Sequence, residues 1–275
     1  MTYHVTPEKQ GSLRIDLTPE SAGWTHISFK VVTLGDGEVF EATTGGEELA
    51  LVPLSGRAVV QYGEEQAVLA RRDVWSEVPS VLYLPPRMNY RIEAQRSCEV
   101  AIGGAPAEGR YPPRLILPSE IKTFERGGAN VRRGVSVLLD GELPAEHLTL
   151  FEIYTPSGNW SSWPPHRHDG YHGSSSQEET YYYRLKPANG LAIQSLYAED
   201  IKLDEQILVH DGELVLVHAG YHGVATAPGT NAYYLNVLAG DVRKIDVYND
   251  PAYEWVRDNW EGNPISIPLS QCDPI

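Results

Sequence analysis

The chain has 275 residues and a formal net charge of −15 at pH 7, from 37 acidic and 22 basic side chains. That length exceeds one ordinary core, so two domains are expected; the charge argues against nucleic acid or anionic membrane as a partner, because both would repel it. The composition includes 25 Gly and 20 Pro, 16 Tyr exceed 4 Phe, and long runs rich in Ala, Leu, Glu and Lys are missing, which favours a mostly β protein.

The opening MTYHVTPEKQGSLRIDLTPE lacks a basic stretch followed by an apolar one, and no later segment is apolar for long enough to cross a bilayer. A soluble, cytoplasmic protein is expected. Cys98 and Cys272 lie far apart, with no motif for a disulfide scaffold or a catalytic thiol.

Short strands punctuated by turns run from about Gly23 to Ala105. Residues 24–32 alternate as a half-buried strand and Gly35-Asp36-Gly37 turns it. Residues 48–53 and 56–62 read as a hairpin, Val81 to Leu84 stops at Pro85-Pro86, and 90–94 and 99–103 follow as separate strands. Even spacing of this kind means a sandwich or barrel. This half holds only His4 and His26, so it is expected to be structural, as a packing partner or a wall of the site.

A polar, Pro-rich connection, APAEGRYPPR, spans Ala105 to Arg114. The expected division is therefore 1–110 and 111–275. Residues 116–126 are expected to be irregular or helical. Arg126, Arg132 and Arg133 then surround a glycine pair, either as a solvated loop or as a contact for a carboxylate or a neighbouring subunit. Strands are expected at 135–139 and 148–154.

The next stretch, WSSWPPHRHDGYHGSSSQEETYYYR from Trp160 to Arg184, carries the chemistry. His166 and His168 are two apart, so on an extended backbone both side chains leave on one face. Pro164 and Pro165 disfavour a helix. A Gly/Ser turn leads to Glu178 and Glu179 and then to Thr180-Tyr181-Tyr182-Tyr183, a run of high strand propensity. An antiparallel return would bring a carboxylate beside the imidazoles. Alternation puts Tyr181 and Tyr183 on the Glu179 face, with Glu178, Tyr182 and Arg184 on the other. The Gly170 to Ser176 loop could serve as a lid.

Further strands are expected at 191–197, 205–210, 214–217 and 232–238. The turn after Val217 offers His222 as a fourth ligand, with His218 as its rival. Imidazoles plus one carboxylate, with open positions, suit a catalytic Zn, Mn or Fe better than a closed structural site. Tyr248, Trp255 and Trp260 read as packing residues, and the Pro-rich tail to Ile275 as an arm that reaches across a neighbour or stays loose.

His-x-His, then Glu, then His on strand hairpins resembles the cupin barrel, and the repeated strand-and-turn style of the two halves resembles a bicupin. More narrowly, GWTHISFKVV, LVPLSGRA, YLPP, RGGANVRR, TPSGNWSSWPPHRHD, EETYYYR, DGELVLVHAGYHGV and YYLNVLAGDVR resemble the 5-deoxy-glucuronate isomerase family of bacterial myo-inositol catabolism, related to the 4-deoxy-L-threo-5-hexosulose-uronate ketol-isomerases. The chain departs from the family pattern at Gln177, usually Leu, and at His218, Gly223 and Asp241, where Pro is usual.

The resemblance implies an all-β bicupin with a divalent metal ion held by His166, His168, Glu179 and His222. It implies conversion of 5-deoxy-D-glucuronate, a small sugar acid, to 2-deoxy-5-keto-D-gluconate by proton transfer through an enediolate. Tyr181, Tyr183 and Gln194 are the candidate catalytic residues by face and strand order; Arg184, Lys202 and Arg132 are candidates for the substrate carboxylate. Exposed barrel edges make a homo-oligomer expected. Two other readings use the same ligands: an Fe(II) dioxygenase, which would consume O2, and a non-catalytic sugar-acid-binding cupin.

Overall fold

The structure, a computed structural model, describes residues 2–8 and 10–259; Trp260, Cys272 and the expected tail arm lie outside the described residues. Three antiparallel sheets of eight, seven and five strands make up the molecule. Helix is confined to Pro19–Ala22 and five short 3-10 segments among the described residues. No helix among them is long and apolar enough to cross a membrane.

Two long strands, Glu47–Tyr62 and Asn89–Pro106, form the spine of the eight-stranded sheet in the first half. The expected hairpin of 48–53 with 56–62, and the separate strands 90–94 and 99–103, are thus corrected to one strand each. The cause lies at Gly56. Its φ is +82°, and a Cβ there would sit 2.0 Å from the Ser97 carbonyl oxygen. What reads in sequence as a turn is a bulge, with register shifts between Pro53 and Ala58 that bend both strands without ending them. The hairpin partner of 56–62 is Glu65–Arg71.

The second half is a pair of facing sheets. The seven-stranded sheet runs His4–Val5, Leu214–Val217, Glu178–Lys186, Asn231–Ala239, Thr149–Thr155, Arg133–Leu139 and Lys122–Arg126. Residues 116–126, expected irregular or helical, hold one 3-10 turn, Pro118–Glu120, and this last edge strand. The five-stranded sheet runs Leu203–Val209, Ala192–Ala198, Tyr221–Thr226, Trp160–Arg167 and Tyr248–Asn249. Leu214–Val217 matches its expected bounds at both ends. Sheet membership crosses between the halves at two points. His4–Val5 pairs with Leu214–Val217 of the second half, and Arg114–Ile116 pairs with Val81–Leu84 of the first.

Glu178–Lys186 is buried on both faces because it separates two cores. Tyr181, Tyr183, Leu196, Val224 and Tyr234 pack between the two sheets of the second half. Tyr182, Leu216, Leu235 and Val237 pack on the opposite face against Phe29, Val31 and Tyr83 of the first half. The inter-barrel contact also buries an ion pair, Arg71 to Glu152, at 2.6 and 3.0 Å. The hydroxyls of Tyr154 and Tyr233 donate to the same carboxylate, so its acceptor sites are filled, as a buried charge requires.

A candidate metal centre in the second barrel

The Trp160–Arg167 strand delivers the first imidazole. It pairs regularly with Tyr221–Thr226 at Trp160 and Ser161, then loses register until His166 stands opposite His222. Pro164 and Pro165 fall in that irregular stretch, where their missing N–H groups cost no ladder bond. The His166 and His222 rings lie 4.6 Å apart between centroids. His168 follows just past the strand end and turns inward.

The carboxylate arrives from the opposite sheet. The expected return of 178–183 as a hairpin partner of the His166 strand is replaced by a crossing from the five-stranded to the seven-stranded sheet, joined only by a bridge between Asp169 and Ser176. Strand alternation then separates the two glutamates. Glu179 faces the imidazoles, with its Oε2 at 2.9 Å from His168 Nε2 and 3.3 Å from His222 Nε2. Glu178 faces the first barrel, where it accepts the backbone N–H groups of Thr25, His26 and Ile27 at 2.8, 3.0 and 2.8 Å.

Ring orientation is fixed from behind. His168 Nδ1 donates to the Gln177 carbonyl at 3.1 Å, and His222 Nδ1 donates to the Gly220 carbonyl at 3.2 Å. A carbonyl can only accept, so both rings carry the Nδ1 proton and turn Nε2 toward the centre. His222 is fully buried, and its Nε2 meets Glu179 Oε2 at 3.3 Å without the geometry of a hydrogen bond. One nitrogen from each of His166, His168 and His222 lies within 4.8 Å of the others. Three convergent imidazoles, a buried nitrogen without a hydrogen bond and an adjacent carboxylate fit a divalent metal ion.

Burial and the neighbouring His222 and His168 charges push His166 well below its ordinary range, which keeps it a neutral donor. Burial also opposes charge on His168, but the hydrogen bond and attraction of Glu179 outweigh it and raise that pKa. For Glu179, burial is overcome by His168 and His222, and its pKa falls to about 2. The carboxylate is therefore ionised throughout the physiological range.

His166, His168 and Glu179 line a cavity of about 280 Å³, and its lining among the described residues falls between Phe124 and Arg257; the fully buried His222 lies beside them, outside that lining. Among the described residues, the first barrel supplies packing behind the site and no lining residue. Tyr181 lines the cavity. Tyr183 and Gln194 lie one layer deeper, where the Tyr183 hydroxyl donates to Gln194 Oε1 at 2.9 Å. Gln194 Nε2 is buried without a partner.

His218 is outside the cluster. Its Nε2 donates to the Thr2 carbonyl at 2.8 Å and its ring packs on Tyr3 and Trp24. Residues 170–176 do not cover the metal cavity either; Gly170, Tyr171 and Ser176 line a separate opening between the barrels.

The arrangement agrees with what is found among known proteins. The KduI/IolB family pattern matches residues 2–256. The chain belongs to the KduI/IolB family. A relative from Geobacillus kaustophilus named 5-deoxy-glucuronate isomerase is 40% identical over 259 residues, 92% of this chain and 94% of that one. A Bacillus subtilis protein of the same name is 35% identical over 247 residues, 88% and 91% of the two chains. The crystal structure of an IolB-like protein from Salmonella typhimurium superposes with a TM-score of 0.90 at 32% identity, covering 93% of this chain and 99% of that one. Oxalate decarboxylase from Bacillus subtilis shares the fold at a TM-score of 0.64 and 12% identity, covering 90% and 79%. The all-β architecture is that of a bicupin.

Within this KduI/IolB chain, Arg184, Arg132 and Lys202 do not line the cavity, whereas Arg126 and Arg133, from the loop expected either as a solvated loop or as a contact for a carboxylate or a neighbouring subunit, do. Arg184 pairs with Asp211 at 3.0 Å and with Glu99. Arg132 pairs with Glu125 at 3.0 Å on the exposed side, and Lys202 caps a 3-10 turn in an exposed position. The cavity instead presents Arg126, Arg133 and Arg257, with Asn236 and Asn249. Arg133 was legible in principle. The strand begins at Arg133, two residues before its expected start, and alternation back from Val135 puts Arg133 on the cavity face.

Proposed function

We propose that this chain is an aldose–ketose isomerase that converts 5-deoxy-D-glucuronate to 2-deoxy-5-keto-D-gluconate in inositol catabolism, using a divalent metal ion. The observation that carries the reading is the convergence of His166, His168, His222 and Glu179 on one point, three of them lining one cavity, in a chain that matches relatives named for that reaction along about nine-tenths of its length.

His166, His168, Glu179 and His222 would hold Zn, Mn or Fe, which the same donor set accepts. A bound divalent cation supplies Lewis-acid stabilisation, worth several kcal/mol, of the negative charge that develops on the two substrate oxygens. The remaining work falls to side chains. Burial and the Glu179 charge hold the Tyr181 phenol well above its ordinary pKa, so Tyr181 stays protonated and acts as a hydrogen-bond donor to a substrate oxygen. Tyr183 stacks beside it at 6.3 Å between centroids, and Gln194 holds the Tyr183 hydroxyl. That layer fixes the Tyr181 ring in the orientation proton transfer needs. Apolar walls from Val135, Phe151, Ile153 and Leu238 exclude water from the reacting carbons.

In this reading residues 1–110 form a structural cupin and residues 111–275 the catalytic one. The protein works in the cytoplasm as a homo-oligomer, joined through the edge strand Lys122–Arg126, whose residues are all exposed and whose Phe124 is 49% exposed.

The test is conversion of 5-deoxy-D-glucuronate followed by NMR, in wild type and His168→Ala, each before and after chelation and re-addition of Mn or Zn. Turnover by metal-loaded wild type that is lost in the variant is the expected result. No conversion despite full metal occupancy would overturn the substrate assignment, and oxygen uptake in its place would identify a dioxygenase.

A further inference from the structure

The mouth of the metal cavity contains an unneutralised pair of cations. Lys122–Arg126 and Arg133–Leu139 are antiparallel neighbours, and Arg126 stands directly opposite Arg133. Both line the cavity that holds His166, His168 and Glu179. Like charges directly opposite on one sheet repel each other. No carboxylate among the described residues pairs with either, whereas Arg71, Arg167 and Arg184 are each matched by one or two acidic groups. The contrast is sharp in a chain of net charge −15.

The pair is held in place by a tight turn. Gly127 has φ +85°, and a Cβ there would meet the Val131 carbonyl oxygen at 2.0 Å. The 127–132 loop therefore closes on its own backbone, and only glycine permits the crossing that sets Arg126 against Arg133. Arg133 is half-buried among apolar walls. Burial depresses its pKa, the Tyr234 and Tyr181 phenols oppose that effect, and the Arg126 charge adds to it. An exposed solvated loop would have no reason to keep a second guanidinium beside a desolvated one.

We propose that Arg133, seconded by Arg126, receives the carboxylate of the sugar acid at the end of the substrate remote from the metal ligands, and that this contact makes the site select acids over neutral sugars. The proposal rests on the isomerase reading of the same cavity. The planar guanidinium fork matches a carboxylate with two parallel hydrogen bonds. Bound there, the anion removes the repulsion between the arginines, so it gains attraction from both and relieves a cost already present in the free protein. The local positive charge also gives an anionic substrate a destination on a protein surface that otherwise repels it.

Turnover is measured for 5-deoxy-D-glucuronate and for its neutral counterpart bearing CH2OH in place of the carboxylate. The proteins compared, each with metal content checked, are wild type, Arg133→Ala, Arg133→Lys, Arg126→Ala and the control Arg132→Ala. Arg133→Ala is expected to raise KM for the acid about 100-fold and to erase the preference for acid over neutral sugar. Arg133→Lys recovers part of that preference, Arg126→Ala loses about 10-fold, and Arg132→Ala matches wild type. Equal losses on acid and neutral substrate would reduce Arg133 to a wall of the cavity and overturn the proposal, as would an unchanged KM.

If wild type turns over neither sugar, the isomerase reading fails by itself. Calorimetric titration with D-glucuronate and D-glucose then decides. Tighter binding of the acid by wild type, lost in Arg133→Ala, upholds the anion site; equal binding of the two sugars removes it.

Discussion

The two barrels are built in the same strand-and-turn style and differ in what fills them. The first is packed with Val32, Leu34, Leu51, Val60, Leu69, Leu82 and Ile92, all buried and nearly all aliphatic. The second also has an aliphatic core, with Leu196, Val209, Val215 and Val224, but adds Tyr181, Tyr183, Tyr234 and Gln194 and, beside them, Glu179, His168 and His222. A close-packed aliphatic interior leaves no room and no donors for a ligand. An interior of tyrosines and imidazoles leaves polar atoms that need partners, of which Gln194 Nε2 and His222 Nε2 are two. Chemistry in this chain follows from these polar groups placed inside one barrel, since strands and turns of the same style in the other hold none of them.

Adjacent glutamates on one strand offer the most direct way to break that comparison, since Glu179 serves the polar interior and Glu178 serves the joint between the barrels. Glu179→Ala is expected to have the largest effect, with bound metal falling to background and turnover dropping about 1,000-fold, the equivalent of several kcal/mol of lost charge stabilisation. Metal analysis and NMR turnover check it, with circular dichroism to confirm the fold. Retained stoichiometric metal would show that the carboxylate is not a ligand.

Glu178→Ala should do the reverse. The variant strands the N–H groups of Thr25, His26 and Ile27 at the joint, which costs about 2–4 kcal/mol and lowers Tm by roughly 5–10 °C. Metal content should stay at the wild-type level. Calorimetry that shows an unchanged Tm together with lost metal would invert the roles assigned to the two residues.

Periodicity in the sequence assigned the faces, and the family resemblance supplied the proposed ligand set. The two-residue spacing of His166 and His168 and the alternation of Glu179, Tyr181 and Tyr183 are local facts, and the strands follow them. What could not be read locally is set by long-range contact. Gly56 reads as a turn until Ser97 is known to lie against it. Glu178 reads as a rival ligand until the backbone of Thr25 to Ile27 is known to fill its acceptor sites. Arg133 was visible as one of three arginines that could meet a carboxylate, but the sequence left that reading level with a solvated loop. A strand boundary placed two residues late left it in a loop, where its cavity-facing direction could not be seen.

The smallest effect is expected at His218, the histidine that sequence spacing leaves in competition with His222. Its ring bonds the Thr2 carbonyl and packs on Tyr3 and Trp24, so it ties the N-terminal segment to the barrel. His218→Gln should keep full metal and turnover and lose less than about 1 kcal/mol of stability at pH 8, the value of one hydrogen bond. Acid should erase the difference. Burial, the first cause, lowers the folded pKa of His218 below 6.5. Below about pH 6.5 the unfolded chain therefore takes up a proton that the folded one refuses, and wild type loses stability as pH falls through that window. The glutamine variant has no such proton to gain, so its deficit should shrink between pH 8 and pH 5.5. Denaturant melts of both proteins at the two pH values measure this; a deficit that widens in acid would mean that His218 is charged in the folded state and stabilised there, as a residue of the polar interior would be.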